Sequence, residues 1–285
     1  MKTKLFLDSG NPEDTRVAIE TLGFLDGQTT NPSLIAKNPK VQDYKTKHGA
    51  FTLPDLLAFY RDTVQAVSAL IPSGSVSIEV PASATSTSDE MYALGVEMYG
   101  WIPNAHIKFP ITKPGLAAAA HMSLEGKRVN MTLCFSQAQA AAVYAATSFG
   151  KKEESLLGYK NVFVSPFIGR LDDIGQKGLD LIVNTQRMYA NGDHHVAILA
   201  ASIRNPEHMR ALLAWGVDIV TAPLNVIQAW VAAGKPMTQG GAITKLKAIP
   251  YQTLDLNQSW VAYDFFHPLT DKGLEKFRED WEGLL

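Results

Sequence analysis

Val196-Ala197-Ile198-Leu199-Ala200-Ala201-Ser202, then Asn205-Pro206 opening a stretch to Trp215, then Ile219-Val220-Thr221-Ala222: this succession of apolar run, helical segment and apolar run decides the fold. The runs are near-continuous in apolar residues, as strands buried on both faces read. Asn followed by Pro is a helix start, a cap and then a residue whose missing N–H costs nothing at that position. The same unit recurs along the chain. Short runs lie at Lys4–Asp8, Gly27–Asn31 (short and polar), Val76–Val80, His106–Phe109, Val129–Phe135, Val162–Phe167, Val196–Ser202 and Ile219–Ala222, eight in all. Helical stretches separate them at Pro12–Gly23, Leu53–Leu70, Ser86–Gly100, Pro114–Leu124, Ser136–Ser148, Lys177–Asn191 and Pro206–Trp215, and Val226–Ala233 follows the last.

Eight β–α units predict an α/β fold, a single (β/α)8 TIM barrel over residues 1–285. The rival, a doubly wound open sheet, lacks its usual support: neither G-x-G-x-x-G nor G-x-x-x-x-G-K-S/T is present. No Pro/Gly/Ser-rich linker divides the chain. The stretch 238–285, with Trp260, Phe265, Phe266 and Trp281, reads as C-terminal helices packed on the barrel.

Composition narrows the function. The 285 residues are 46% hydrophobic and only 19% charged, which predicts a large interior. Lys+Arg of 26 against Asp+Glu of 28 leaves no basic excess, so neither nucleic acid nor a membrane surface is an expected partner. The single cysteine, Cys134, excludes an intramolecular disulfide and Cys-based zinc sites, and reads as a small buried hydrophobe. No apolar run approaches the roughly 18 residues that cross a bilayer. The N-terminus, Met1 to Asp8, turns acidic too early for a signal peptide, so a soluble cytoplasmic protein is expected.

Barrel chemistry sits at the C-terminal strand ends, where alternate side chains point inward. In His106-Ile107-Lys108-Phe109-Pro110, apolar Ile107 and Phe109 face the helices and Lys108 the interior. A buried ammonium is costly unless paired, and a neutral lysine is a nucleophile able to form a Schiff base with a ketone. The competing reading is a strand-edge Lys reaching for water or a carboxylate. Glu79, between Ile78 and Val80, points the same way as an acid/base group or as the partner of Lys108. Asp8 ends the first run, before the cap Asn11, and is either a turn residue or free to enter the mouth. Thr29-Thr30-Asn31-Pro32-Ser33 is a turn signal in which the Asn31 amide could hold a hydroxyl. Asn130 and Thr132 alternate with large apolar residues and need polar partners, from neighbouring strands or from a polyhydroxylated ligand. Ser165 and Arg170 close the sixth run; Ser202 and Arg204 close the seventh. Two arginines with nearby hydroxyls fit a phosphate, whose oxygens match the guanidinium fork. Asp172 or Asp173 would be the structural partner of Arg170 alone. His194-His195 lies at the N-terminal end of the seventh strand, the stability face, and is read as structural.

Taken together, these blocks resemble the transaldolase family. Thr29-Thr30-Asn31-Pro32-Ser33-Leu34-Ile35, Ile107-Lys108-Phe109-Pro110, Asn130 to Ser136, Ser165-Pro166-Phe167-Ile168-Gly169-Arg170 and Ala201-Ser202-Ile203-Arg204-Asn205 are similar to its signatures in the same order, from Leu5 to about Pro223. The resemblance implies a class I aldolase-type barrel with Lys108 as Schiff-base nucleophile. It implies Glu79 and Thr132 around a proton-carrying water, and Asp8 as acid/base beside the scissile C–C bond. It assigns Asn31, Asn130 and Ser165 to substrate hydroxyls, and Arg170, Ser202 and Arg204 to the phosphate of a sugar-phosphate substrate. No metal or cofactor is implied. Fructose-6-phosphate aldolases, shorter relatives, tend to carry Gln and Tyr where this chain has Glu79 and Phe167, so Glu79, Ser165 and Phe167 look like the transferring enzymes. Pro110 to Gly115 look more like the short ones. The expected activity is transfer of a dihydroxyacetone unit between sugar phosphates. The rivals are fructose-6-phosphate aldolase, a non-catalytic sugar-phosphate binder and a metal-dependent barrel enzyme, the last disfavoured by the lack of clustered ligands. Self-association as a homo-oligomer is left open.

Overall fold

The computed structural model describes residues 3–150, 154–156, 158–237 and 246–285. Its first half runs β1 (Lys4–Asp8), α1 (Pro12–Leu22), β2 (Gly27–Thr29), α2 (Pro32–Ala36), α3 (Pro39–His48), α4 (Leu53–Leu70), β3 (Ser75–Glu79), α5 (Ser88–Tyr99), β4 (Ala105–Pro110) and α6 (Lys113–Leu124). The second half runs β5 (Val129–Cys134), α7 (Gln137–Thr147), β6 (Val162–Pro166), α8 (Ile168–Asp173), α9 (Gly178–Tyr189), β7 (Val196–Ala200), α10 (Pro206–Trp215), β8 (Ile219–Ala222), α11 (Leu224–Ala232) and α12 (Pro268–Glu282). The strands close in sequence order into one parallel barrel, β8 returning to β1, as the eight-fold repeat predicted.

Two apolar layers follow from the pleat. Ile107 and Phe109 of β4 point outward and pack with Met91 and Met98 of α5 in the layer between strands and helices. Phe6, Phe163, Ala197, Leu199 and Ile219 form a second cluster inside the barrel. His106 is fully buried on this floor, stacked on Phe163 at 4.0 Å between ring centres. Burial pulls its imidazole down to about 3, so it stays neutral. Ser75 Oγ lies 2.8 Å from one ring nitrogen and the Lys160 carbonyl 3.0 Å from the other.

Helix starts follow their capping chemistry: Asn11, Asn31, Asn38 and Asn205 each accept a backbone N–H and each precedes a proline. Three helices lay beyond the sequence expectation. The turn signal Thr29–Ser33 covers only the start of α2, no reading covers α3, and the block Ser165–Arg170, which closes the sixth run, extends into α8, six residues long. α2 and α8 are too short to show a period, and α3, with Val41 its one buried residue, presents no apolar face.

The tail differs from the expected run of helices. Residues 246–259 are irregular, Trp260–Ala262 form one 3₁₀ turn, and α12 is the one α-helix there among the described residues. Met1, Lys2 and residues 238–245, which entered the N-terminal and tail readings, lie outside the described residues. α12 lies across the mouth. Thr270 Oγ donates to Leu133 O at 2.9 Å and accepts from Gln139 Nε2 at 2.8 Å. Leu133 itself is left-handed (φ +60°) beside the β5 bulge, which aims its carbonyl at α12. Ser33 Oγ donates to Asp280 near the far end. No helix among the described residues is long and apolar enough to cross a membrane.

Gly27 marks how tightly the floor is packed. A methyl there would lie 2.5 Å from the Phe6 ring and 2.5 Å from the Ser75 carbonyl oxygen. Gly27→Ala is therefore expected to cost about 1–3 kcal/mol, read as a lowered urea midpoint at unchanged slope. An unchanged midpoint would mean that the floor gives way.

Candidate active site

The C-terminal half of the barrel interior is polar. Glu79 ends β3 and Lys108 sits directly opposite it on β4. Both are 2% exposed. Lys108 Nζ lies 2.9 Å from Glu79 Oε2 and donates to Thr30 O at 3.0 Å. The tyrosine oxygen of Tyr60, on α4, accepts the Glu79 backbone N–H at 2.9 Å and is 2.7 Å from Thr30 Oγ. One tyrosine thus fixes both the carboxylate's backbone and the residue whose carbonyl holds the amine. Burial pushes the Glu79 carboxyl above its ordinary pKa, opposed by Lys108 and then Arg170, with Asp8 adding to the rise.

Asp8 accepts from Thr29 Oγ at 2.7 Å, and Thr29 Oγ also meets Thr221 Oγ at 2.7 Å. Burial raises the Asp8 pKa as well, offset in turn by Lys108, the Thr29 hydrogen bond, Arg170 and Lys37. Two carboxyl groups and two cations, Lys108 and Arg170, therefore share the interior field.

Among the described residues three buried side-chain polar atoms are left without hydrogen-bond partners: His208 Nε2 at the rim, Thr132 Oγ, and Glu79 Oε2, whose contact with Lys108 is close but not aligned as a hydrogen bond. Orphaned buried oxygens beside an amine are what a bound water or ligand would satisfy. Asn130 and Ser165 hold each other: Ser165 Oγ donates to Asn130 Oδ1 at 2.6 Å, and Asn130 Nδ2 donates to Ser77 Oγ at 3.0 Å. Asn31 caps α2, its Oδ1 accepting from Leu34 N at 2.9 Å, which leaves Nδ2 to donate to a ligand.

The mouth carries the arginines. Arg170, on α8, packs its guanidinium on the rings of Phe167 (5.2 Å) and Phe277 (5.4 Å). Arg204 is exposed and pairs with Asp173 at 2.7 Å, while Asp172 lies against His208 at 2.9 Å. The sequence had offered these aspartates to Arg170; the structure assigns them otherwise, because α8 turns Arg170 inward and its last residues outward. Ser202 is left-handed (φ +60°), and its carbonyl accepts from Gly169 N at 3.0 Å, joining β7's exit to α8.

Lys108, Glu79, Asp8 and Thr132 thus share one end of the barrel with Asn31, Asn130, Ser165, Phe167, Arg170, Ser202 and Arg204. Sequence reasoning missed Tyr60, Thr30, Thr221 and His208. Tyr60 lies on a helix with no local signal, and Thr221 lies within a four-residue run otherwise apolar. His195, at the opposite end, bonds to Asp193 and Thr147. A surface cavity of about 860 Å3 also lies at that end, among Tyr144, Gly192 and Trp260. Among the described residues no cluster of His, Cys, Asp or Glu could hold a metal ion.

A sequence model of the family described as "Transaldolase/Fructose-6-phosphate aldolase" matches residues 5–285. The chain belongs to this family. The match continues through the C-terminal stretch, past Pro223 where the sequence blocks stopped. A "Probable transaldolase" of Caulobacter sp. (strain K31) is 36% identical over 284 residues, covering 98% of this chain and 97% of the relative. Another, of Dehalococcoides mccartyi, is 32% identical over 281 residues, covering 99% of each. One of Chlorobaculum parvum is 35% identical, covering 97% of each.

Asp8 gives a prediction with a definite sign. Its folded pKa is raised above the ordinary 3.8, so the ionised carboxylate weakens the fold at neutral pH, and the cost disappears below the unfolded value. Asp8→Asn keeps an oxygen for Thr29 without the charge. Its melting temperature is expected to exceed wild type at pH 7, with the gain fading towards pH 4. A lower melting temperature at pH 7 would mean that Lys108 and Arg170 outweigh burial.

Proposed function

We propose that this protein is a transaldolase, moving a dihydroxyacetone unit from a ketose phosphate to an aldose phosphate through a Schiff base on Lys108. The donors are fructose 6-phosphate or sedoheptulose 7-phosphate and the acceptors erythrose 4-phosphate or glyceraldehyde 3-phosphate, the exchange of the pentose phosphate pathway. The observation that carries this reading is the Lys108–Glu79 pair, buried at 2.9 Å beneath a mouth bearing Arg170 and Arg204. A binding protein needs the arginines but not a buried amine.

In this reading Lys108 passes a proton towards Glu79 and attacks the ketone carbon. The carbinolamine loses water, its proton relayed through a water between Glu79 and Thr132, and an iminium forms. Asp8 takes the proton from the C4 hydroxyl, the C3–C4 bond breaks, and its electrons pass into the iminium as an enamine. An aldose phosphate is released. The enamine then adds to the aldehyde of the acceptor, with Asp8 returning the proton, and hydrolysis frees Lys108. The iminium is the electron sink, so no step calls for a metal. Asn31, Asn130 and Ser165 would hold the donor's hydroxyls, and Arg170, Ser202 and Arg204 its phosphate, with Phe167 beneath the Arg170 guanidinium. The enzyme would work in the cytoplasm.

The test is borohydride trapping with fructose 6-phosphate, read by peptide mass spectrometry. A reduced three-carbon adduct on Lys108 is expected, and Lys108→Ala should lose roughly 10³-fold or more of turnover with its fold retained. Activity retained in that variant would overturn the assignment. Release of free dihydroxyacetone without an acceptor, at the rate of transfer, would instead favour a fructose-6-phosphate aldolase.

A further inference from the structure

We infer that His208 is a positioning residue that locks the two arginine-bearing segments together into one phosphate clamp, an inference that rests on the sugar-phosphate reading above. His208 is the third residue of α10 and has no exposed surface. Its Nδ1 accepts the backbone N–H of Arg204 at 3.4 Å. On the other side its Nε2 lies 2.9 Å from Asp172 Oδ2 on α8, close but poorly aligned. Asp172 also accepts Gly178 N at 2.8 Å, which fixes it to the start of α9.

The geometry places this imidazole between the two halves of the anion site. One half is the β7–α10 loop with Ser202 and Arg204. The other is α8 with Arg170. They approach so closely that a methyl on Gly169 would meet the Arg204 side chain at 2.6 Å. Two backbone hydrogen bonds join them, Ile168 N to Ala201 O at 3.1 Å and Gly169 N to Ser202 O at 3.0 Å. Both lie at the root of the loop. Among the described residues the only side-chain link at its tip apart from His208 is the exposed Arg204–Asp173 pair, and a phosphate that draws Arg204 away would break it. His208 alone then ties the Arg204 backbone to α8. An imidazole fully buried against a carboxylate carries a desolvation cost that an apolar side chain of the same size would avoid, so its use here is geometric.

The test titrates inorganic phosphate by calorimetry and measures fructose 6-phosphate kinetics in wild type, His208→Ala and His208→Gln. Loss of the tie should raise the phosphate Kd and the KM roughly tenfold in His208→Ala, with kcat changed less than about twofold. His208→Gln keeps an N–H towards Asp172 and should recover most of the loss. A merely structural role would lower stability without this KM-confined, rescuable effect. If His208→Ala does not fold, Asp172→Ala, at a half-buried position, should raise the phosphate Kd in the same way. Phosphate bound as tightly by these variants as by wild type overturns the inference. Wild type that binds no phosphate overturns both the anion site and this inference. Wild type that binds phosphate yet turns over no sugar phosphate sinks only the transferase reading, and the titration still decides His208.

Discussion

A buried amine governs this structure. An ammonium withdrawn from water costs several kcal/mol unless a carboxylate and aligned acceptors replace the lost hydration. Lys108 sits inside the barrel with 2% of its surface exposed, so the interior around it must be polar. Glu79 supplies the charge and Thr30 the carbonyl. Tyr60 steadies both from outside the barrel, which makes α4 part of the site although none of its residues enters the barrel. The apolar floor below excludes water from the other end, and α12 lies over the opening.

Charge balance extends the same constraint outward. Asp8 and Glu79 both bind protons more tightly than free carboxyls because burial outweighs the cations near them. Burial likewise holds Arg170 below its usual value, with Glu79 pulling it back up and Arg204 pushing it down. An anion arriving between Arg170 and Arg204 would find two guanidinium groups, one packed on aromatic rings and one held by an exposed aspartate. Two of the four left-handed non-glycine residues among the described ones lie at the same rim: Leu133 and Ser202, at the exits of β5 and β7. In both cases a carbonyl is turned towards a neighbouring helix, α12 or α8.

The barrel was legible because its signal is periodic and repeated. Each strand buried on both faces shows as an apolar run, and the pairs Asn11-Pro12 and Asn205-Pro206 announce helices. Lys108 and Glu79 were legible for the same reason, as charges interrupting apolar runs at inward-facing positions. α2 and α8 escaped because a helix of five or six residues is too short to show a face, and α3 because it is polar almost all round, with Val41 its one buried residue. The tail was legible only in part: Trp281 lies in α12 as expected, whereas Trp260 sits in a 3₁₀ turn and Phe265 and Phe266 in irregular chain.

The sequence by itself determined the eight-fold strand–helix order, the closed barrel and the identity of the residues at the strand ends, because alternation in a strand is a local property fixed by backbone geometry. The tertiary structure alone decided who pairs with whom. Asp173 goes to Arg204 and Asp172 to His208, Ser165 spends its proton on Asn130, Tyr60 reaches across from α4, and α12 closes over the mouth. These contacts join residues far apart in the chain, and their partners are set by how strands stagger and helices lean, which no local pattern records.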